Sequence, residues 1–271
     1  MVTYFVSFYP RIPLDENLSI FEPLHDHNTH QLLSRSAGVL LPPYVPPWRY
    51  RDITRLARHW FPRLETRFAY QGKSKQIELF RRIGVNCPET LLFRDPSQLM
   101  ERLHRGGIPW DYPLVLKGDQ GAGGSTVFPV YSSADIARRL KKLPRHEPVL
   151  LQKWVRHGGR DLRVVIYGCQ TVSYFRLGNG GFYNNVCRGG RIDHELYPAQ
   201  QQTGVQAVLQ FCRRAVIDIA GFDLMFPDEG EPVFIEINFH FGRKGLGGPS
   251  GHQKRLQQAV TEWRAGVLAH A

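Results

Sequence analysis

Residues 233–242 read VFIEINFHFG, and the reading of this stretch decides the fold. Val233, Ile235, Ile237 and Phe239 alternate with Phe234, Glu236 and Asn238, the period of two that a strand requires. One face is apolar; the other carries Glu236 and Asn238 two residues apart. A core strand does not normally carry a carboxylate there, because an unpaired buried charge is costly. The pattern therefore predicts a cationic group over that face.

AGFDLMF (220–226) is also strand-like, with Asp223 and Met225 on the face opposite Phe222, Leu224 and Phe226. Between the two segments PDEGE (227–231) carries the residues of a turn. A two-residue hairpin loop at Glu229 and Gly230 sets Asp223 directly opposite Glu236. Asp223, Glu236 and Asn238 then converge on one spot. Two carboxylates and an amide oxygen, with no His or Cys, suit a hard cation, magnesium or manganese. Magnesium is commonly shared with substrate phosphates, so a nucleotide is implied. The plainer alternative is that Asp223 or Glu236 pairs with a neighbouring arginine.

The chain has 271 residues, long enough for one large domain or two to three lobes. With 42% hydrophobic and 12% aromatic residues it can bury a core. The net charge of +11 suits nucleic acid, an acidic protein or small anions, and does not choose among them. Cys87, Cys169, Cys187 and Cys212 are scattered without a CxxC pair, which excludes a disulfide framework or a zinc site and fits a reducing, cytoplasmic setting. MVTYFVSFYPR lacks a basic n-region and its apolar run stops at Pro10, so no signal peptide is expected. No run of apolar residues is long enough to predict a membrane-spanning helix.

Along the chain, 2–9 reads as a strand, and SAGVLLPPYVPPW (36–48) as a strand entering a proline-rich loop where the prolines exclude helix. Residues 49–68, rich in Arg and aromatics, read as helical. KSKQIELFRRIGV (73–85) is an amphipathic helix with Ile77, Phe80 and Ile83 on one side and Gly84 as its stop. An extended segment at 86–93, a helix opening at Pro96-Ser97, a strand at 112–117 and a helix at 133–143 follow. Strands at 149–155, 161–168 and 171–177 precede a helix at 202–220. The mixture lacks regular βα alternation, so the fold class is α+β, not a doubly wound sheet.

VLKGDQGAGGSTV (115–127) ends a strand on Lys117 and continues into Gly118, Gly121, Gly123, Gly124 and Ser125. Glycines let backbone N–H groups approach phosphate oxygens closely. The lysine precedes the glycines, which excludes a Walker A loop, and the spacing excludes the dinucleotide fingerprint. By itself the stretch reads first as an ordinary flexible hairpin; beside the Asp223, Glu236 and Asn238 set the phosphate reading is preferred. Lys73 opens its helix, where a cation opposes the dipole and calls for an anion nearby. GGRDLRVVIYG (158–168) puts Asp161 and Arg163 on one strand face, and FYNNVCRGG (182–190) adds two amides, an arginine and a glycine pair.

The order of these pieces, Lys73 and its helix, VLKGDQGAGGS, LLQKWV, GGRDLRVVIYG, NNVCRGG, then GFD and EIN, resembles the ATP-grasp superfamily. Within it the chain is similar to the RimK-like branch of ribosomal-protein glutamate ligases and related amino-acid ligases, over about residues 70–245. The resemblance implies two α+β lobes enclosing ATP, preceded by a short N-terminal α/β lobe. The expected divisions are 1–70, 71–150 with the glycine loop, and 151–271 with the magnesium site. It implies an ATP- and magnesium-dependent carboxylate–amine ligase working through an acyl phosphate. Lys73, Lys117 and the glycine loop would contact phosphates, and Gln152, Lys153, Trp154 and Val155 would line the adenine. Asp161 would meet ribose, and Asp223, Glu236 and Asn238 would hold the metal. Asn185 and Arg188 would steady the transferred phosphoryl group, and Arg163 and Arg176 would clamp a substrate carboxylate. Homo-oligomers are common in the family.

The chain departs from the branch in three places. The hinge reads Gln152-Lys153 where an acid is common, Phe241-Gly242 stands where Pro-Gly often follows, and the stretch before residue 70 is short. These leave the amine substrate open, whether small molecule, peptide or protein terminus. A kinase of the same fold acting on a hydroxyl, and a nucleotide-binding scaffold without turnover, remain alternatives. His25, His27 and His30 form a polar loop in preference to a metal site, since their spacing matches no zinc pattern. The arginines at 49, 51, 55, 58, 63 and 67 read as a solvated basic face in preference to a nucleic-acid stripe.

Overall fold

The computed structural model describes residues 3–121, 123–178, 182, 189–227 and 230–270. Among them the strands form three sheets. The first is parallel: β1 (Phe5–Ser7), β2 (Glu16–Asn17), β3 (Gly38–Leu40) and β4 (Trp60–Phe61), in the order β2-β1-β3-β4. Its core joins Val6, Phe8 and Val39 to Leu33 of helix α1 (His27–Arg35) and Ile53 of helix α2 (Pro47–Thr54). Two expectations are corrected here. HDHNTH starts a helix instead of a loop, because Asp26 caps it by accepting from the Thr29 N–H at 3.0 Å. The 49–68 helix is interrupted: α2 starts at Pro47, a position where the missing N–H is harmless, and Trp60-Phe61 leaves to pair with β3 before helix α3 (Glu65–Ala69).

The second sheet is antiparallel, with β5 (Thr90–Phe93), β6 (Leu114–Gly118), β7 (Val127–Val130) and β8 (Val149–Lys153) in the order β5-β8-β6-β7. Leu114, Leu116 and Leu151 pack beneath helices α5 (Pro96–His104) and α6 (Ser133–Leu140) through Leu99, Ile136 and Leu140. Asp95 and Ser132 cap the two helices. The intervening residues Val115, Lys117 and Gln152 therefore turn to the other face, into a cleft.

The third sheet comprises β9 (Arg160–Tyr167), β10 (Gln170–Leu177), β11 (Arg191–Asp193), β12 (Ile219–Met225) and β13 (Val233–Asn238), antiparallel in the order β11-β10-β9-β12-β13. Leu162, Val164 and Ile166 face Val208 and Phe211 of helix α7 (Pro198–Ala215). The alternate residues divide. Asp161 and Arg163 open into the cleft, whereas Val165 and Tyr167 join Tyr9, Phe61 and helix α8 (Gly248–Ala269) in a core shared with the first sheet. The 202–220 helix is shifted: α7 stops at Ala215 and Ile219-Ala220 already belong to β12.

Asp223 lies opposite Glu236 as the hairpin reading required. A bulge between Asp223 and Leu224 then shifts the register, so Leu224 pairs with Phe234. The strands stop at Met225 and Val233, and Glu229 lies outside the described residues.

Helix α4 (Lys73–Ile83) buries Ile77, Phe80 and Ile83 in the core of the third sheet, and Gly84 ends it in the left-handed conformation at φ 74°. β13 is the edge strand of its sheet, and Gln76 closes part of that edge. Its amide donates to Ile237 O at 2.8 Å and its oxygen accepts from Ile237 N at 2.9 Å. Gln76→Leu strands both buried backbone groups. We expect a loss of about 2–4 kcal/mol by urea denaturation, and a loss below about 1 kcal/mol would contradict this role.

Candidate active site

The two lysines approach the cleft from different elements, a strand and a helix. Lys117 stands on β6; Lys73 is the first residue of α4, held by the entry conformation of Gly72 at φ 83°. A Cβ at Gly72 would overlap the Asp119 carboxylate, so only glycine fits. Asp119 is the anion that the helix start calls for: Oδ1 accepts from Ser74 N at 2.7 Å and its carbonyl from Lys73 N at 3.1 Å. Because Asp119 also opens the glycine loop, the same residue ties that loop to α4. Thr126 Oγ1 donates to Gln120 O at 2.7 Å and Gly118 N to Thr126 O at 2.8 Å, so the loop is the turn of the β6–β7 hairpin. Gly121, Gly123 and Gly124 line the cleft; Ser125 is exposed and outside its lining. Lys73 Nζ donates to Gly121 O at 3.1 Å and stands 3.9 Å from Glu236 Oε1.

Facing the lysines is a set of buried charges. Arg163 donates from Nε and Nη2 to the two oxygens of Asp223, the second at 3.1 Å. Arg176 donates to Asp161 at 2.6 Å through Nε and reaches Asp223 at 3.0 Å through Nη2. Both arginines, expected as a clamp for a substrate carboxylate, clamp Asp223 in this structure. Asp161, expected at ribose, has Arg176 on one of its oxygens. Burial pushes the Asp223 carboxyl up, but Arg163 and Arg176 outweigh it and hold it below the usual range. For Asp161 burial wins over Arg176, and its carboxyl is raised.

Glu236 is raised as well, first by burial, with Lys73 and Lys117 opposing and Asp223 adding to the rise. Two carboxylates directly opposite and repelling one another are suited to a cation between them. Asn238 gives its amide N–H to Asp223 Oδ2 at 3.2 Å, so its oxygen is the atom that a cation would meet. The donor set thus fits a hard divalent cation. The plainer alternative also holds in part, since Asp223 is arginine-paired.

The cleft has a volume of about 450 Å³. At one end Gln152, Lys153, Trp154 and Val155 line it. Gln152 is fixed by donating to Thr90 Oγ1 at 2.8 Å, and Lys153 turns to Glu89. Trp154 packs against Phe182 at 5.0 Å between ring centroids and stacks near His157 at 6.4 Å. At the other end His240, Phe241 and Lys244 line it, just beyond β13. Asn185 and Arg188 lie outside the described residues.

Asp119, Gln76, His157, Phe182 and His240 are site residues that the sequence reading did not single out. Asp119 had a signal, an acid inside a glycine loop; Gln76, Phe182 and His240 act through contacts between distant segments, and His157 stacks near Trp154 three residues away. Among the described residues no group of three or more His, Cys, Asp and Glu side chains is arranged to hold a metal, the histidines of α1 included. His27 instead contacts the Gln31 amide at 2.7 Å. No helix among the described residues is long and apolar enough to cross a membrane.

Two antiparallel sheets closing on one charged cleft define the ATP-grasp class of fold. Residues 70–253 match the RimK-like ATP-grasp domain, and the chain belongs to that family. It is 30% identical over 162 residues to β-citrylglutamate synthase B of Danio rerio, covering 59% of this chain and 39% of that one. It is 26% identical over 205 residues to the coenzyme γ-F420-2:α-L-glutamate ligase of Methanococcus maripaludis, covering 73% of this chain and 69% of that one. The chain thus spans about two-fifths of the length of the first relative. Its fold is similar to the D-Ala:D-Ser ligase VanG of Enterococcus faecalis (TM-score 0.60, 12% identity, 84% and 73% of the two chains). A RimK domain ATP-grasp protein of Sphaerobacter thermophilus also shares it (TM-score 0.55, 15% identity, 83% and 81%).

Burial lowers the Lys117 ammonium from the usual 10.5 to about 8, with Glu236 opposing and Lys73 reinforcing the fall. Below about pH 8 the folded state bears this cost in full; between about 8 and 10.5 the lysine sheds its proton only when folded, and stability rises with pH. Lys117→Met is expected to stabilise the ligand-free protein by about 1–3 kcal/mol at pH 7 and to flatten that rise. Calorimetric melts across pH 6–10 check it, and a destabilised variant would contradict it.

Proposed function

We propose that the chain is an ATP- and magnesium-dependent ligase joining a carboxylate to an amine. The observation that carries this reading is the facing of Lys73 and Lys117 against Asp223, Glu236 and Asn238 across one cleft. Lysines beside a hard-cation donor set form a site for a polyphosphate. The names of the relatives, a synthase and a glutamate ligase, support amide-forming chemistry.

In this reading Lys73 and Lys117 bind the phosphates and the glycine hairpin covers them. Adenine lies along Gln152–Val155 with Trp154 and Phe182 closing the end. Magnesium or manganese held by Asp223, Glu236 and Asn238 would neutralise charge at the β- and γ-phosphates. Arg163 and Arg176 hold Asp223 ionised and aimed, and Asp161 orients Arg176. A carboxylate oxygen of the acid substrate attacks the γ-phosphorus, ADP leaves, and an acyl phosphate forms. The amine then attacks the acyl carbon, phosphate leaves, and the amine loses a proton. Asn185 and Arg188 are proposed to steady the phosphoryl group. No protein nucleophile is required.

Thermal denaturation with magnesium, ATP, both and neither tests the site. At about a hundred times its Kd, Mg-ATP adds about 2.7 kcal/mol, a shift of a few degrees for a chain of this size. The wild type is expected to shift only when magnesium accompanies ATP, and Glu236→Ala to lose the magnesium-dependent part. Equal shifts with and without magnesium, or in wild type and variant, would sink the reading.

A further inference from the structure

A second cavity, of about 320 Å³, lies where the first sheet meets the third. Tyr9, Arg11 and Tyr44 wall it from the N-terminal side, and His240, Arg243 and His252 from the C-terminal side. Each wall is tied in place. Tyr9 is buried and meets Tyr44 edge-on at 6.1 Å. The Gln253 amide donates to Arg11 O at 2.9 Å, fastening that segment to α8. Arg243 O accepts from Leu246 N and Gly248 N, both at 3.0 Å, so the arginine sits at the head of a closed turn. His252 Nδ1 is 2.7 Å from the Tyr167 hydroxyl. His240 Nε2 receives Arg67 Nη2 at 2.8 Å.

No acidic side chain lines this cavity among the described residues. Arg11 and Arg243 reach it from opposite lobes, and after burial they are the causes that hold the His252 imidazolium down. Cationic fields converge there without a carboxylate of the protein to meet them. His240 lines both this cavity and the main cleft, and it stands two residues beyond the metal-ligand candidate Asn238. Tyr9, Arg11 and Tyr44 precede residues 70–253, the part that matches the family domain. The pocket is therefore built in part from residues outside that domain.

We infer that Arg11 and Arg243 anchor a second, non-reacting carboxylate of the acid substrate, which makes that substrate a di- or tricarboxylic acid. This rests on the reading of the main cleft as the place where its other carboxyl is activated. A guanidinium pairs with a carboxylate through two parallel hydrogen bonds, which gives orientation as well as affinity. Two such groups on separate lobes would hold one end of a short acid while the other end passes His240 into the cleft. A monocarboxylic acid of equal length lacks the anchored end.

The test uses succinate, glutarate and citrate as probes, with butyrate as the monocarboxylate. Binding is measured by calorimetry on the full chain with Mg-ADP, for wild type, Arg11→Gln and Arg243→Gln. Both arginines are exposed, so the variants are expected to melt with the wild type. At least one of the three polyacids is expected to bind wild type, and to weaken about tenfold or more in each variant. Butyrate should bind all three proteins equally weakly, a contrast that a merely structural role for the arginines would not produce. The inference is overturned if no polyacid binds wild type, or if the variants bind it as wild type does. A parallel thermal shift with Mg-ATP separates the two readings. Polyacid binding that depends on the arginines, in a protein that Mg-ATP does not stabilise, removes the proposed activity and leaves an anion pocket without the cleft chemistry.

Discussion

Asp161, Arg163, Arg176 and Asp223 are four ionisable side chains buried on one face of one sheet. Arg163 lies directly across from Asp223, and Asp161 directly across from Arg176, on adjoining strands. Buried charges are tolerable only when paired, and removing one partner strands the other at a cost of about 3–5 kcal/mol. Because side chains alternate along a strand, a slip of one residue in β9 would drive Asp161 and Arg163 into the helix-covered core and bring Leu162 and Val164 into the cleft. The four charges thus pin the register of β9, β10 and β12. That register is what sets Asp223 opposite Glu236.

The opposite wall depends on the same economy of satisfied groups. Gln76 docks α4 on the edge of β13, and Asp119 joins the start of α4 to the glycine hairpin. Through these bonds Lys73 is carried to Glu236, although the two residues come from distant parts of the chain. The pairing on the site side is incomplete by comparison. Lys117 is buried with a lowered pKa and Glu236 with a raised one, each partly compensated by the other. Groups held against their solvation preference in a cleft mark a site prepared for a charged ligand. A ligand that brings phosphates to the lysines and a cation to the carboxylates relieves both costs at once.

Much of this was legible in the chain itself, for physical reasons. The alternation in VFIEINFHFG and AGFDLMF, with a turn between, places Asp223 opposite Glu236, and the structure has that pair. The bulge beside Asp223 left no trace, since one extra residue in a loop and one in a strand look alike until the strand ends are known. β4 is too short to show a period, and its pairing with β3 is a tertiary event. Helix α8 opens on glycine, proline and serine and carries a mixed face, so its signal is weak. The arginines on Asp223 and the cavity of Arg11 and Arg243 join segments far apart in sequence, which no local pattern reports.

In the proposed reaction the cleft activates a carboxyl group at the expense of ATP. Trapping with hydroxylamine tests it most directly, because hydroxylamine converts an acyl phosphate into a stable hydroxamate. The protein is incubated with Mg-ATP and a carboxylic acid that it binds, with hydroxylamine in place of the amine, and hydroxamate and ADP are measured together. Both are expected to form in equal amounts, and each is expected to require the acid. ADP formed together with a stable phosphate ester and no hydroxamate would contradict it, and would identify a kinase on the same fold.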